Sequence, residues 1–280
     1  FAVDDIYAEV VPGLTIAGPT GPETVVAQVD FRQVLGPMRG QVGLNLGPEL
    51  PALLEQRSTA ERARAAIRPL ASCLIRTRLS DYYRPGSGEY DLILLNRALN
   101  WIADAGGTPL VCLDPGPPSA GASASAHYQS FVTTAIKLVS LRRGGPTLRR
   151  YELFDAPLAS GQFRKVSELV AAYNDLARRV LAADPEARVG GPGFASAAGA
   201  NLRDFVQGAE TLHFLSLQFH GAHAASATPS ALFDAALSGR SADLPDQLSL
   251  VEVAELARSR EPMPEVYVTA LAPSSTPDAP

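Results

Sequence analysis

Three acidic residues lie in or directly after two short apolar segments of this sequence. Asp114 ends the segment 109–114, Asp155 follows the segment 150–154, and Glu152 lies inside the latter. Two carboxyl groups held close together can act as acid and base on one bond. An Asp at the start of a loop also accepts hydrogen bonds from backbone amides, and this is the favoured interpretation of Asp114 and Asp155. We expect Glu152 to be buried and paired with an arginine, either Arg76 or Arg78.

Two histidines, His220 and His223, follow another apolar segment at a spacing of three residues. Together with Asp114 or Asp155 they would form part of a metal site, but the sequence fixes no third ligand. We therefore interpret them as loop residues that make ordinary hydrogen bonds. No metal or other cofactor is predicted.

The elements that would position these residues alternate between strand and helix patterns from about residue 40 onward. Seven segments have strand composition: residues 41–46, 73–79, 109–114, 150–154, 188–192, 212–219 and 265–271. Strands separated by helices pair in parallel through right-handed crossovers. Seven such units favour an α/β fold of the (β/α)8 TIM-barrel type over an open doubly wound sheet. No glycine-rich phosphate motif follows the first strand, which further disfavours the doubly wound alternative.

Two details of the helices can be predicted. Ser58 and Glu61 have the spacing of a capping box and predict a helix that runs to about Leu70. Trp101 lies in the apolar stripe of the helix after the second strand, so we interpret it as a packing residue.

The pattern contains no eighth βα unit, so the barrel is incomplete in this sequence. We predict a barrel over residues 41–275 and a tail at 276–280, preceded by an N-terminal extension, 1–40. The extension is predicted to form a strand or hairpin packed on the barrel, with 24–33 as its strand candidate. An open barrel would expose strand edges, which folded proteins avoid. Either the extension or residues outside this sequence would fill the gap.

Bulk properties exclude some classes of protein. The net charge of −5 offers no basic surface, so nucleic acid is not an expected partner. No apolar run approaches the roughly 20 residues of a transmembrane helix. The chain begins at Phe1 rather than Met, as after removal of a leader, although a chosen chain boundary would look the same. We expect a periplasmic or secreted protein.

The two cysteines, Cys73 and Cys112, each lie within a predicted strand. The favoured interpretation is a pair of buried thiols that pack as small apolar side chains. A disulfide between neighbouring strands is the alternative that spacing leaves open.

Several segments carry a family resemblance through their order and spacing. They are Gly43-Leu44-Asn45 in the first strand, Ile75-Arg76-Thr77 in the second, Tyr151-Glu152-Leu153-Phe154-Asp155-Ala156-Pro157 in the fourth, Arg188-Val189-Gly190-Gly191-Pro192 in the fifth and Phe214-Leu215-Ser216 in the sixth. Together they resemble glycoside hydrolase family 39, which contains β-xylosidases and α-L-iduronidases. The likeness extends over roughly residues 28 to 275.

The resemblance implies a retaining mechanism, in which one glutamate protonates the leaving oxygen and a second attacks the anomeric carbon. The first should lie at Ala156, because the family pattern there resembles Asn-Glu-Pro and this chain has Asp155-Ala156-Pro157. The second should lie at Ala270, at the end of the seventh strand, and Gln218 replaces the family's histidine on the sixth. Natural divergence or deliberate substitution would both produce these departures, and Asp155 and Gln218 favour divergence.

We therefore interpret the chain as a catalytically inactive, glycosidase-like barrel outside the cytoplasm. It would serve as a structural or protein-interaction subunit of a larger assembly, free or membrane-attached, or as a glycan-binding module. The alternative is an active hydrolase that uses displaced carboxylates, namely Asp155, Asp114 or Glu152. The candidate glycan contacts are Tyr82, Tyr83, Arg76, Tyr128 and His220.

Overall fold

A computed structural model describes residues 43–70, 73–118, 123–142, 149–222, 228–241, 244 and 247–274 of this chain. The predictions for the extension 1–40, the tail 276–280 and His223 lie outside these residues. Among the described residues, no helix combines the length and apolar character that crossing a bilayer requires.

Seven parallel strands form one sheet, and their order in the sheet is their order in the chain. They are β1 (Gly43–Asn45), β2 (Leu74–Arg78), β5 (Thr108–Leu113), β6 (Arg150–Leu153), β7 (Arg188–Phe194), β8 (Phe214–Ala222) and β9 (Glu265–Ser274). A separate two-stranded antiparallel hairpin, β3 (Tyr83–Arg84) and β4 (Glu89–Tyr90), follows the second strand of the sheet. All seven predicted strands are confirmed, with ends that differ by no more than three residues.

Helices occupy the connections between the strands of the sheet. They are α1 (Glu49–Glu55), α2 (Arg57–Ile67), α3 (Leu92–Asp104), α4 (Ala124–Arg142), α5 (Val166–Ala183), α6 (Gly199–Gly208), α7 (Pro229–Ser238) and α8 (Leu250–Arg258). Each strand–helix–strand unit returns the chain in parallel, which is the arrangement of a TIM barrel. The predicted fold class is confirmed.

The sheet curves until its first and last strands approach each other. The side-chain amide Nδ2 of Asn45 on β1 donates to the backbone oxygen of Thr269 on β9 across 3.3 Å. Within the described residues this contact stands where a backbone ladder would close a complete barrel. The result is a nearly closed, seven-stranded barrel, consistent with the predicted absence of an eighth unit.

Helix α3 shows how the sequence pattern sets the packing. Its buried side chains Leu95, Leu99 and Ile102 face the sheet, and full burial of one such side chain stabilises the fold by about 1.5–3 kcal/mol. Trp101 is also buried, and its Nε1 donates to the backbone oxygen of Ala60 at 3.1 Å. Its predicted packing role is confirmed.

The capping box predicted at Ser58 and Glu61 is wrong. Helix α2 begins earlier, at Arg57, with Gln56 as its N-cap, and no side-chain hydrogen bond caps it. The carboxylate of Glu61 pairs instead with Arg64, one turn further along the helix. A true capping box opens α8, where Ser249 and Glu252 each bond the other's backbone amide.

The two cysteines are both buried and both free. The favoured interpretation as packing thiols is confirmed, and the disulfide alternative is wrong. Cys73 precedes β2, whereas Cys112 lies near the far end of β5, opposite Arg78 in the ladder. Strands rise about 3.3 Å per residue, so this offset separates the two thiols by far more than a disulfide can span.

Candidate functional site at the barrel mouth

A buried arginine inside the barrel joins two of the predicted acidic residues. The side chain of Arg76 on β2 is only 4% exposed, and its Nε donates to Oε2 of Glu152 at 2.6 Å. Its Nη2 lies 2.8 Å from Oδ1 of Asp155. Burial alone would lower the pKa of Arg76, but the charge of Glu152 and the hydrogen bond outweigh it and raise the pKa. The predicted pairing of Glu152 with an arginine is confirmed, and Arg76 is the partner.

An unusual backbone turn at the end of β6 makes this arrangement geometrically feasible. Glu152 and Asp155 are three residues apart, so a regular strand would send them to opposite faces. Phe154 and Ala156 instead have positive φ angles of 73° and 46°. This conformation costs roughly 1–3 kcal/mol for each non-glycine residue and is typical of strained functional sites.

Two backbone hydrogen bonds to neighbouring strands hold the turn in place. The amide of Phe154 donates to the oxygen of Leu113 at 3.0 Å, and the amide of Ala156 donates to the oxygen of Gly193 at 2.9 Å. Because both adjacent strands anchor it, the turn delivers Asp155 to the interior side of the sheet.

Asp155 is surrounded by side-chain donors. In addition to Arg76, Nη1 of Arg78 lies 3.3 Å from its Oδ2, and Nε2 of Gln218 donates to its Oδ1 at 3.2 Å. Only 9% of its side chain is exposed. The predicted backbone-amide partners are therefore wrong for Asp155, because the turn points its carboxylate at guanidinium groups rather than at its own loop.

Asp81 extends this network and was missed by sequence reasoning. It receives Nη2 of Arg78 at 2.7 Å and Nε at 3.2 Å, so a bidentate pair fixes the arginine. The only sequence signal was the spacing of three residues between Arg78 and Asp81 directly after the second strand. That spacing is common on exposed turns and carries little information by itself.

Ala156, Gln218 and Ala270, the three positions singled out by the sequence resemblance, meet at this end of the barrel. Gln218 of β8 is the ladder partner of Ala270 on β9, and its amide binds Asp155, the residue before Ala156. Ala156 follows β6, and Gln218 and Ala270 lie at or past the middle of β8 and β9. All three are toward the end of the barrel where TIM-barrel enzymes place their active sites. Residues more than 100 positions apart in the sequence thus form one cluster.

Asp114 lies at the same end of the barrel, after β5. Its Oδ2 accepts the amide of Gly116 at 3.1 Å, which confirms the loop interpretation for this residue. Burial, and then the negative charge of Asp155, raise the pKa of Asp114 to about 6. A hydrogen bond from Ser80 and the charge of Arg78 act in the opposite direction.

Comparisons with solved structures identify what this architecture resembles. A family 39 β-xylosidase from Caulobacter crescentus matches 89% of this chain and 57% of its own, with a TM-score of 0.58 and 18% identity. A bacterial orthologue of human α-L-iduronidase matches 84% of this chain and 41% of its own, with a TM-score of 0.57 and 17% identity. A glucosidase from Croceicoccus marinus matches 79% and 49%, with a TM-score of 0.51 and 18% identity.

The fold is a glycosidase-type TIM barrel. This chain spans about half the length of these solved structures. At such low identity the likeness establishes the fold alone. No protein-family model and no curated protein matches the sequence.

Two candidate glycan contacts of this glycosidase-type barrel belong to its core. Tyr82 is 2% exposed, and its hydroxyl is hydrogen-bonded to the hydroxyl of Thr77 at 2.9 Å. Arg76 is enclosed with its carboxylates, as described above. Direct contact with a glycan would require either side chain to leave its buried partner, so their placement favours a structural role.

The other aromatic candidates are half-buried. Tyr128 lies on α4 and packs against Phe131, with ring centres 5.7 Å apart. Tyr83 packs between Tyr90 and His127, at 5.0 and 4.7 Å. Because Tyr83 is only half-buried, it remains a candidate for stacking on a sugar beside the loop after β5.

Sequence reasoning missed the polar contacts made by Tyr90 and His127, the two rings that pack against Tyr83. The backbone oxygen of Pro115 accepts the hydroxyl of Tyr90 at 2.9 Å and also lies 2.7 Å from Nε2 of His127. These bonds tie the hairpin and α4 to the loop that carries Asp114.

Within the part of the chain that the structure describes, no three His, Cys, Asp or Glu side chains come together in a way that could hold a metal ion. The loop placement predicted for His220 is wrong, because the residue lies half-buried within β8, where its backbone oxygen accepts the hydroxyl of Ser241.

Proposed function

We propose that this chain is a glycosidase-like barrel that does not hydrolyse glycosidic bonds. It would act outside the cytoplasm as a structural or protein-interaction subunit, or hold a glycan without cleaving it. The observation that carries the proposal is the state of Asp155, whose carboxylate is bound by Arg76, Arg78 and Gln218.

A retaining glycosidase needs two carboxyl groups with distinct roles. The family resemblance assigns these roles to Ala156 and Ala270, and a methyl group can neither donate a proton nor attack carbon. The nearest carboxylate, Asp155, would have to break two ion pairs before it could attack an anomeric carbon. Arg76 would then keep only Glu152 and Arg78 only Asp81, so each guanidinium would lose one of the two carboxylates that neutralise it.

Hydrolysis assays with aryl β-xylosides and aryl β-glucosides test this proposal. We expect the purified chain to release no aryl alcohol above the rate in buffer. Hydrolysis that disappears in Asp155→Asn would overturn the proposal, provided that circular dichroism shows a folded variant. Ser160→Ala, in the exposed part of the same loop, is the matched control that should behave like the original chain.

Calorimetric titration with xylo- and gluco-oligosaccharides separates the two non-catalytic roles. Saturable binding that weakens in Tyr83→Ala would favour glycan holding, because Tyr83 is the aromatic candidate left beside the mouth. If the titration detects no binding, a structural subunit is favoured. Chemical crosslinking in the native assembly would then identify its neighbouring proteins.

One observation favours an active hydrolase as a second candidate. Asp114 has a pKa of about 6, raised by burial and by the charge of Asp155. A carboxyl group whose pKa is raised toward neutrality beside an ionisable neighbour is the electrostatic pattern of an acid–base pair. Asp114 would be the acid, and Asp155 the nucleophile or base.

This second candidate function predicts a specific dependence of the hydrolysis rate on pH. Hydrolysis should fall as the pH rises through about 6, and Asp114→Asn should abolish it. A rate that remains the same in Asp114→Asn and Asp155→Asn would exclude this pair as the catalytic groups.

A further inference from the structure

Two arginines stand side by side at the opposite end of the barrel, where the strands begin. Arg150 is the first residue of β6 and Arg188 the first residue of β7, and the two are direct partners in the parallel ladder. Directly paired residues on neighbouring strands lie about 4.8 Å apart and project to the same side of the sheet. Two guanidinium charges are therefore held next to each other.

One carboxylate serves both arginines. Oε1 of Glu265, at the start of β9, lies 2.9 Å from Nη2 of Arg188, while its Oε2 lies 3.7 Å from Nη2 of Arg150. The hydroxyl of Tyr267 also donates to Oε2. The group carries two positive charges and one negative charge, so a net charge of about +1 is left over.

Arg150 is poorly satisfied for a buried cation. The residue is 9% exposed, and its Nε is fully buried without a hydrogen-bond partner, as is Nε of Arg188. The contact to Glu265 at 3.7 Å exceeds hydrogen-bond length. A buried guanidinium without acceptors pays a desolvation cost that an oxyanion would offset.

The other polar groups nearby leave the positive charge in place. Burial raises the pKa of the Tyr267 hydroxyl to about 12, so it stays neutral. Burial, and then the charge of Arg188, lower the pKa of His213, whose Nδ1 accepts the amide of Val189 at 3.0 Å. Neither group supplies a second anion.

The site is open to solvent on one side. The side chains of Arg188 and Glu265 are 38% and 41% exposed, whereas Arg150 lies deeper. A small ion from solvent would therefore contact the guanidinium of Arg188 first and that of Arg150 next.

We propose that Arg150 and Arg188 form a binding site for a small oxyanion, a phosphate or carboxylate group, at the strand-start end of the barrel. The planar guanidinium forks of two arginines match the oxygen spacing of such groups. This site is distinct from the mouth and does not depend on whether the mouth is catalytic.

Titrations with inorganic phosphate and with malonate, at ionic strength matched by sodium chloride, test the proposal. We expect saturable binding by calorimetry and a rise in Tm with at least one of the two anions, because a ligand of the folded state stabilises it. The phosphate and malonate arms show which oxyanion class the site prefers. No saturable binding of either anion would overturn the proposal.

Substitutions place the binding at this site. Arg150→Gln and Arg188→Gln should each weaken anion binding about tenfold or more, through loss of charge-assisted hydrogen bonds. Glu265→Gln should strengthen binding, because it removes the competing carboxylate, and a purely structural cluster would not respond in this direction. If Arg150→Gln fails to fold, Arg150→Lys keeps the charge but loses the fork and should still weaken binding.

Arg149→Gln is the matched control. Arg149 is adjacent in sequence, but its Nη1 already donates to Asp184 at 2.9 Å and to Glu186 at 2.7 Å. Its loss should leave anion affinity unchanged. An equal loss of affinity in Arg149→Gln and Arg150→Gln would overturn the assignment.

Discussion

Glu152 and Asp155 both contact the guanidinium of Arg76, although a regular strand would turn these two carboxylates to opposite faces. The positive φ of Phe154 between them reverses the alternation. The strained turn and the buried ion pair therefore depend on each other. The turn places the carboxylate of Asp155 inside the barrel, and the ion pair with Arg76 stabilises it there.

The Arg76–Glu152 pair should be strongly coupled in the free energy of unfolding. Arg76→Met leaves the fully buried Glu152 without its cation and should destabilise the fold by about 3–5 kcal/mol. Glu152→Gln should also destabilise, whereas the double variant should cost less than the sum of the two. Urea unfolding of all four proteins measures the coupling. Additive single effects would show that the pair contributes no net interaction.

Ala156 should be the rare position at which glycine does no harm. Its φ of 46° is unfavourable for a side chain with a Cβ, so Ala156→Gly should leave stability unchanged or raise it by up to about 1 kcal/mol. Ala159→Gly, in the same loop without a positive φ, should instead destabilise by about 0.5–1 kcal/mol. Guanidinium unfolding of both variants gives the comparison. Equal destabilisation would mean that the turn relaxes in solution.

Asp114 should make the fold less stable as pH rises. Its pKa is raised from 3.8 to about 6 in the folded protein, so the folded state binds more protons than the unfolded state between these values. The stabilisation contributed by Asp114 is fully present below about pH 4 and is lost as pH rises through about 6, by roughly 3 kcal/mol for a two-unit shift.

The comparison with Asp114→Asn isolates this contribution. The original chain should lose stability relative to the variant between pH 4 and 6, because only the original chain releases a proton there. Unfolding curves at several pH values measure the difference. A difference that stays flat over this interval would show that Asp114 is ionised at its ordinary pKa.

The barrel could be predicted from sequence because its strands repeat one pattern. Segments such as 109–114 and 265–271 are short, apolar and separated by helical stripes, and that alternation has few structural solutions. The pairing of Glu152 with Arg76 also followed from elementary energetics, since a buried carboxylate needs a cation. Asp155 was predicted wrongly because its orientation depends on the φ of Phe154. No residue type at that position signals a left-handed turn.

The oxyanion site and Asp81 escaped prediction for a related reason. Arg150, Arg188 and Glu265 are far apart in the sequence, and each alone is compatible with an ordinary surface charge. Only the strand register places the two arginines opposite each other. Pairwise register between distant strands is information that local patterns do not carry.

Gly190 lies in the Val-Gly-Gly-Pro segment of β7, and the structure supplies a packing reason for it. A Cβ on Gly190 would lie 2.2 Å from the backbone oxygen of Phe214 and 2.5 Å from its ring. The ring of Phe214 is stacked on Tyr267 at 4.6 Å inside the barrel, so it has no free space to move into. Gly190→Ala should therefore separate β7 from β8 and destabilise the fold by about 1–3 kcal/mol or more.

Gly86 supplies the matched control for this prediction. A Cβ there meets nothing within 4 Å, and its φ is not in the left-handed region. Gly86→Ala should be neutral or stabilise the fold by up to about 1 kcal/mol through the unfolded chain's lower entropy. Chemical unfolding of the two variants should separate them by roughly 2 kcal/mol or more. Equal stabilities would contradict the close approach of β7 and β8, because a methyl group cannot occupy the space that the ring of Phe214 fills.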